Sequence, residues 1–145
     1  MSQIQYLRGG YSIEWKKKKA STAMTANTFA SFSADGLVTP ATATSTEIIG
    51  LLLRTITSAD DDYASNTLVP VLVPTSGDTR FLASGEAHSC TEVMNGEFVD
   101  ITDADTINGG ANSLEVIKVE QYIDANTVIF SLSKKSGVAA SVNAD

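Results

Sequence analysis

Turn-forming residues interrupt this chain so often that no long helix can be threaded through it. Gly9-Gly10, Asp35-Gly36, Pro40, Gly50, Pro70, Pro74, Asn95-Gly96 and Gly109-Gly110 break it into short pieces. The longest apolar run is Ile48–Leu53 (IIGLLL), far short of the ~20 residues that a membrane helix needs. Between the breaks stand Val, Ile, Thr, Phe and Tyr, whose branched or flat side chains pack well on a pleated surface. Charged residues make up only 19% of the chain, and 16 serines and 16 threonines take their place. These features predict an all-β protein: a single compact sandwich or barrel-like domain of about eight short strands, with turns every ten residues or so.

The strands can be placed individually. Tyr11, Ile13 and Trp15 alternate with Ser12, Glu14 and Lys16, the period of two that marks a strand. Phe29–Ala34 and Leu37–Thr39 flank Asp35-Gly36 and predict a hairpin with a type I′ turn. Ile48–Thr57 is the most apolar strand, and Ser58–Asn66 a polar loop after it. Thr67–Val73 is extended, and Pro70 assigns it to an edge or a bulge. Thr79–Ala83 follows, then Cys90–Met94 and Glu97–Ile101 on either side of Asn95-Gly96, the dipeptide that most favours a hairpin. Thr102–Ser113 reads as a long polar loop, and Leu114–Val119 and Thr127–Ser133 as a last strand pair turning at Asp124–Asn126. Residues 1–9 lack a strong pattern and are expected to form an N-terminal arm, with the β domain over residues 10–135. Residues 136–145 read as a C-terminal tail or edge strand.

Charge is unevenly spread. The net charge is −7, yet the first twenty residues hold five basic groups (Arg8, Lys16, Lys17, Lys18 and Lys19) against one acid, Glu14. The acidic remainder would repel a phosphate backbone, so no nucleic-acid partner is expected, and no membrane partner either. One cysteine, Cys90, excludes an internal disulfide and suits folding in a reducing cytoplasm. The first residues carry no apolar stretch of the kind a secretory signal needs.

Residues with chemical potential are few. His88 and Cys90 are each the only one of their type. At positions i and i+2 of a strand they would share a face, but a nucleophilic site also needs a third group to orient the base. A buried thiol and a surface imidazole are the plainer expectation. Asp60–Asp62 and Asp100, Asp103 and Asp105 are acidic loops without the glycine and closing glutamate of a calcium hand; solvated turns account for them. Gly109-Gly110 has neither the lysine nor the following helix of a phosphate cradle. No cofactor, no metal and no enzymatic activity are expected.

The block Asn27–Val73 resembles the small capsid decoration, or cement, proteins of tailed bacteriophages. The resemblance lies in a polar hairpin ending in Asp-Gly, a Pro-Ala-Thr loop, a strand with a central glycine (Ile48–Leu53), an acidic loop and a short Val/Pro strand. Glu97–Asn108 (EFVDITDADTIN) is similar to the same group. The resemblance implies a virion protein, made in the host cytoplasm, that binds the major capsid protein on the outer shell and reinforces the lattice, commonly as a homotrimer. The basic Trp15–Lys19 strand is not part of it. The charge split makes the N-terminal segment the expected capsid contact: Ile4, Tyr6, Leu7, Tyr11 and Trp15 for apolar contact, Arg8, Lys16, Lys17, Lys18 and Lys19 for steering. A tail or baseplate adaptor and a carbohydrate-binding β-sandwich are the alternatives; the latter requires an aromatic cluster that the sequence alone does not display.

Overall fold

The computed structural model describes residues 1–133; the tail expected at 136–145 lies outside them. The chain is nearly all β. Its eleven strands are β1 (Gln3–Arg8), β2 (Tyr11–Lys17), β3 (Phe29–Phe32), β4 (Val38–Pro40), β5 (Gly50–Leu52), β6 (Leu68–Pro74), β7 (Arg80–Ser84), β8 (Phe98–Asp103), β9 (Thr106–Asn108), β10 (Ile117–Asp124) and β11 (Thr127–Leu132). They form two antiparallel sheets, one in the order β1-β7-β11-β10-β8-β9 and one in the order β2-β6-β5-β3-β4.

The second sheet curls until its ends meet. Just past β2, Lys18 bridges Val38 of β4, and the Lys19 N–H donates to the Val38 carbonyl at 2.8 Å. Alternation then gives its central strands two buried faces. Ala30, Leu52, Val69 and Val71 point into the curl and pack with Met24, Val38, Ile49 and Ile56. Their neighbours Phe29, Leu51 and Leu72 point out and join Phe81, Val99, Val119, Val128 and Phe130 of the other sheet in the main core. A strand buried on both faces has no use for polar alternation, which explains the run IIGLLL. Gly50 within it lies so close to β6 that a Cβ there would sit 2.0 Å from the Leu72 carbonyl oxygen.

Several expectations are corrected. Residues 1–9 are no free arm: Gln3–Arg8 pair with β7 from Gln3↔Ser84 to Arg8↔Arg80, and Ile4 is buried in the main core. The alternation of Ile4 and Tyr6 with Gln3 and Gln5 supplies the reason, one apolar face on a short strand. Pro70 does not mark an edge, since β6 lies between β2 and β5. Its carbonyl accepts the Leu53 N–H at 3.1 Å, and β5 has ended at Leu52, so the ladder requires no donor from it. Asn95-Gly96 does not close a hairpin. Asn95 has φ −55° and ψ 125°, and Gly96 has φ 85°. With the Glu97 N–H donating to Met94 O at 2.8 Å, that is a type II turn, whose twist splays flanking strands. A 3-10 turn, Glu92–Met94, precedes it. The polar stretch 102–113 holds a strand after all, β9, paired back on β8.

Asp35-Gly36 does turn a hairpin, joining β3 to β4. Only Gly36 takes positive φ, 81°, so the loop is a tight turn with a glycine bulge and not type I′.

Candidate binding surface

The face of the curled sheet that covers the main core at Phe29, Leu51 and Leu72 continues outward to β2, where the other sheet no longer covers it. In β2 the side chains on this face are Tyr11, Ile13, Trp15 and Lys17, opposite Pro74, Leu72, Pro70 and Leu68 of β6 in unbroken register. Tyr11, Ile13, Trp15 and Leu68 are exposed by 48%, 44%, 62% and 51%. Together with half-buried Pro70 they make a contiguous apolar ledge; the other exposed large hydrophobics among the described residues, such as Val93 and Ile123, lie on other elements. Tyr6 of β1 props its near end, its ring edge-on to Tyr11 at 4.9 Å and its hydroxyl donating to Gly9 O at 2.5 Å.

The ten expected contact residues fall into separate groups. Tyr11, Trp15 and Lys17 lie on the ledge, and Arg8 and Lys19 are exposed beyond its two ends. Lys16 points to the other face, where its ammonium pairs with Glu14 at 2.9 Å and lies over the Phe32 ring at 5.7 Å. That ion pair pulls the Glu14 carboxyl below its usual pKa. Tyr6 and Leu7 are half-buried and Ile4 is buried, so none of these three is a free contact residue. Lys18 is wholly buried. Its ammonium donates to the carbonyls of Lys19, Tyr63 and Ser65 at 2.9, 2.8 and 3.0 Å, beside the Tyr63 ring. Burial lowers its pKa, and the charge of Asp62 opposes that shift. Ile13 and Leu68 were missing from the expected set. The alternation of Tyr11 and Trp15 already places Ile13 between them; Leu68 needs the β2–β6 register, which the sequence does not carry.

The pair expected at one face of a strand is separated. Ser89 takes φ 56°, which breaks the alternation. The Cys90 thiol donates to the His88 carbonyl at 3.3 Å, not to its ring. Desolvation raises the thiol pKa, the reverse of an activated nucleophile. His88 is buried, against the expectation of a surface imidazole. Its Nδ1 accepts the Ile107 N–H at 3.1 Å and its Nε2 faces the Ser84 carbonyl at 3.4 Å. Burial lowers its pKa, against weaker opposite effects from Ser84, Asp105, Glu86 and Asp103.

The aspartates organise loops. Asp100 accepts from the N–H groups of Ser113, Leu114 and Glu115 and from the Ser113 hydroxyl, all within 3.2 Å. Burial alone would raise its pKa; those hydrogen bonds bring it below the usual carboxylate value. Asp60 accepts the Thr57 N–H at 2.7 Å, and Asp62 pairs with Arg54 at 2.6 Å. Among the described residues no group of three His, Cys, Asp or Glu side chains is arranged to hold a metal. Comparison with family models, curated proteins and solved structures finds no match to this chain.

Proposed function

We propose that this is a structural virion protein that binds the outer surface of a tailed-phage capsid lattice, and that the β2–β6 ledge is its contact face. The ledge carries the reading. A water-facing cluster of Trp, Tyr, Ile and Leu is kept at interfaces and is otherwise a liability. The exposed cations Arg8, Lys17 and Lys19 lie around it on a chain of net charge −7, which favours an acidic partner surface and speeds encounter with it. The resemblance of Asn27–Val73 to decoration proteins supplies the kind of partner. The test is co-sedimentation with purified capsids that lack the protein. Leu68→Asp, which places a carboxylate in the ledge, is expected to weaken binding at least tenfold while leaving the circular-dichroism spectrum unchanged. Wild-type binding by that variant would overturn the ledge as the contact face.

A second reading rests on the same rings. Tyr11 and Trp15 are four residues apart on one strand face, about 13 Å at strand rise, a spacing on which a linear polysaccharide could lie. Retention of the protein by immobilised glycans, abolished by Trp15→Ala, would favour that alternative.

A further inference from the structure

The backbone edge of β2 is a separate feature from its ledge, and it needs a partner of its own. The Lys18 N–H donates to Thr67 O and the Thr75 N–H to Gly10 O, so the even-numbered residues of this strand turn their backbone groups toward β6. The odd-numbered ones, Tyr11, Ile13, Trp15 and Lys17, turn theirs away. Among the described residues the next outward N–H, that of Lys19, bonds to Val38, while the sheet leaves the edge from Tyr11 to Lys17 without a neighbouring strand.

The other outer strands are blunted. β1 shifts register between Tyr6 and Arg8, β4 is three residues long and ends in Pro40, and β9 is three residues long. β2 has seven residues in unbroken register with no proline and no bulge. A long regular edge is a template for another strand unless it is covered or blunted by charge; here Glu14 and Lys16 neutralise each other at 2.9 Å on one face, and Tyr11, Ile13 and Trp15 leave the other face apolar.

We infer that this edge pairs with the same edge of a second copy, antiparallel and centred on Ile13. The register follows from chemistry. A two-fold axis at Glu14 would set Glu14 against Glu14 of the second copy. An axis at Trp15 would set Ile13 against Lys17 and bring in Lys19, whose N–H is already committed to Val38. An axis at Ile13 sets Ile13 against itself and Tyr11 against Trp15 on both sides, three apolar cross-strand pairs on the ledge face. On the other face it sets Ser12 against Glu14 and Gly10 against Lys16, with no like charges opposed. The result is an isologous dimer whose two ledges form one continuous platform. This differs from the trimer implied by the family resemblance and does not depend on the lattice reading.

Sedimentation equilibrium of the full chain tests it. The wild type is expected to be a dimer. Ile13→Pro removes an outward N–H that β6 never uses, and is expected to give a monomer with an unchanged circular-dichroism spectrum and a thermal midpoint that no longer depends on protein concentration. Ile13→Ala keeps the backbone and is expected to loosen the dimer only several-fold. In a Cys90→Ser background, Ile13→Cys is expected to form a disulfide-linked dimer under mild oxidation, because paired strands hold opposed Cα atoms about 5.5 Å apart. Trp15→Cys alone, opposed to Tyr11, is not. A wild-type monomer or trimer, equal effects of the proline and alanine changes, or equal cross-linking of the two cysteine variants would each overturn the inference.

Discussion

Four consecutive lysines read as a single basic patch, yet Lys16 to Lys19 serve different purposes. On an extended chain they alternate, so Lys16 and Lys18 face one way and Lys17 the other. What sends Lys18 inward is the closing of the curl at Val38, a contact twenty residues away that composition cannot report. Truncating it would strip a shared donor from three carbonyls and leave a cavity. Lys18→Ala is therefore expected to cost about 2–4 kcal/mol in denaturant unfolding, whereas Lys17→Ala, at an exposed position, should change stability by less than about 0.5 kcal/mol. His88 makes a prediction of a different kind. Its ring is held neutral, accepting from Ile107, so the folded protein binds a proton there less readily than the unfolded chain does. The unfolded state then takes up more protons as pH falls through about 6.5, and stability declines below that value. Thermal midpoints measured down through this range should fall, and His88→Gln should flatten that part of the profile at some cost in baseline stability. The burial of His88 was not legible, because the positive φ at Ser89 hides the alternation that would have placed it.

At the scale of elements, local patterns succeeded where the partner strand was near in sequence. The β3–β4 and β10–β11 hairpins follow from alternation and from turn residues within a few positions of one another. The failures share a cause. β1 meets its partner β7 more than seventy residues later, and Asn95-Gly96 is held as a type II turn, the Gly96 N–H donating to Val119 O at 2.7 Å. The position of β1 carries a consequence for truncation. Deleting residues 1–9 would remove Ile4 from the main core and bare the side of β7 it covers. The shortened protein is expected to lose several degrees of thermal midpoint, or to aggregate through the bared strand; an unchanged midpoint would show that β1 adds nothing. Gly50 gives the sharper case. The place of its missing Cβ is occupied by backbone, the Leu72 carbonyl, which cannot swing aside as a side chain would. Gly50→Ala is expected to part β5 from β6 and destabilise by more than about 3 kcal/mol, or to yield no folded protein.

For the whole molecule, the all-β class and one packed domain were legible from the spacing of turn residues. The division into two sheets was not, because which face a strand buries depends on neighbours that only the completed fold supplies. The ledge was half legible for the same reason: Tyr11 and Trp15 announce an apolar strand face, but whether the other sheet covers that face is decided by where that sheet stops. One consequence concerns how the molecule comes apart. β3, β5 and β6 serve as a common wall, with Ala30, Leu52 and Val71 on one side and Phe29, Leu51 and Leu72 on the other. Neither core can melt while the wall stands, and once it yields both lose a boundary together. Calorimetry should accordingly show a single transition whose calorimetric and van't Hoff enthalpies agree for each folding unit. A cavity cut on one side, by Val71→Ala, should lower the melting temperature of the other side by the same amount.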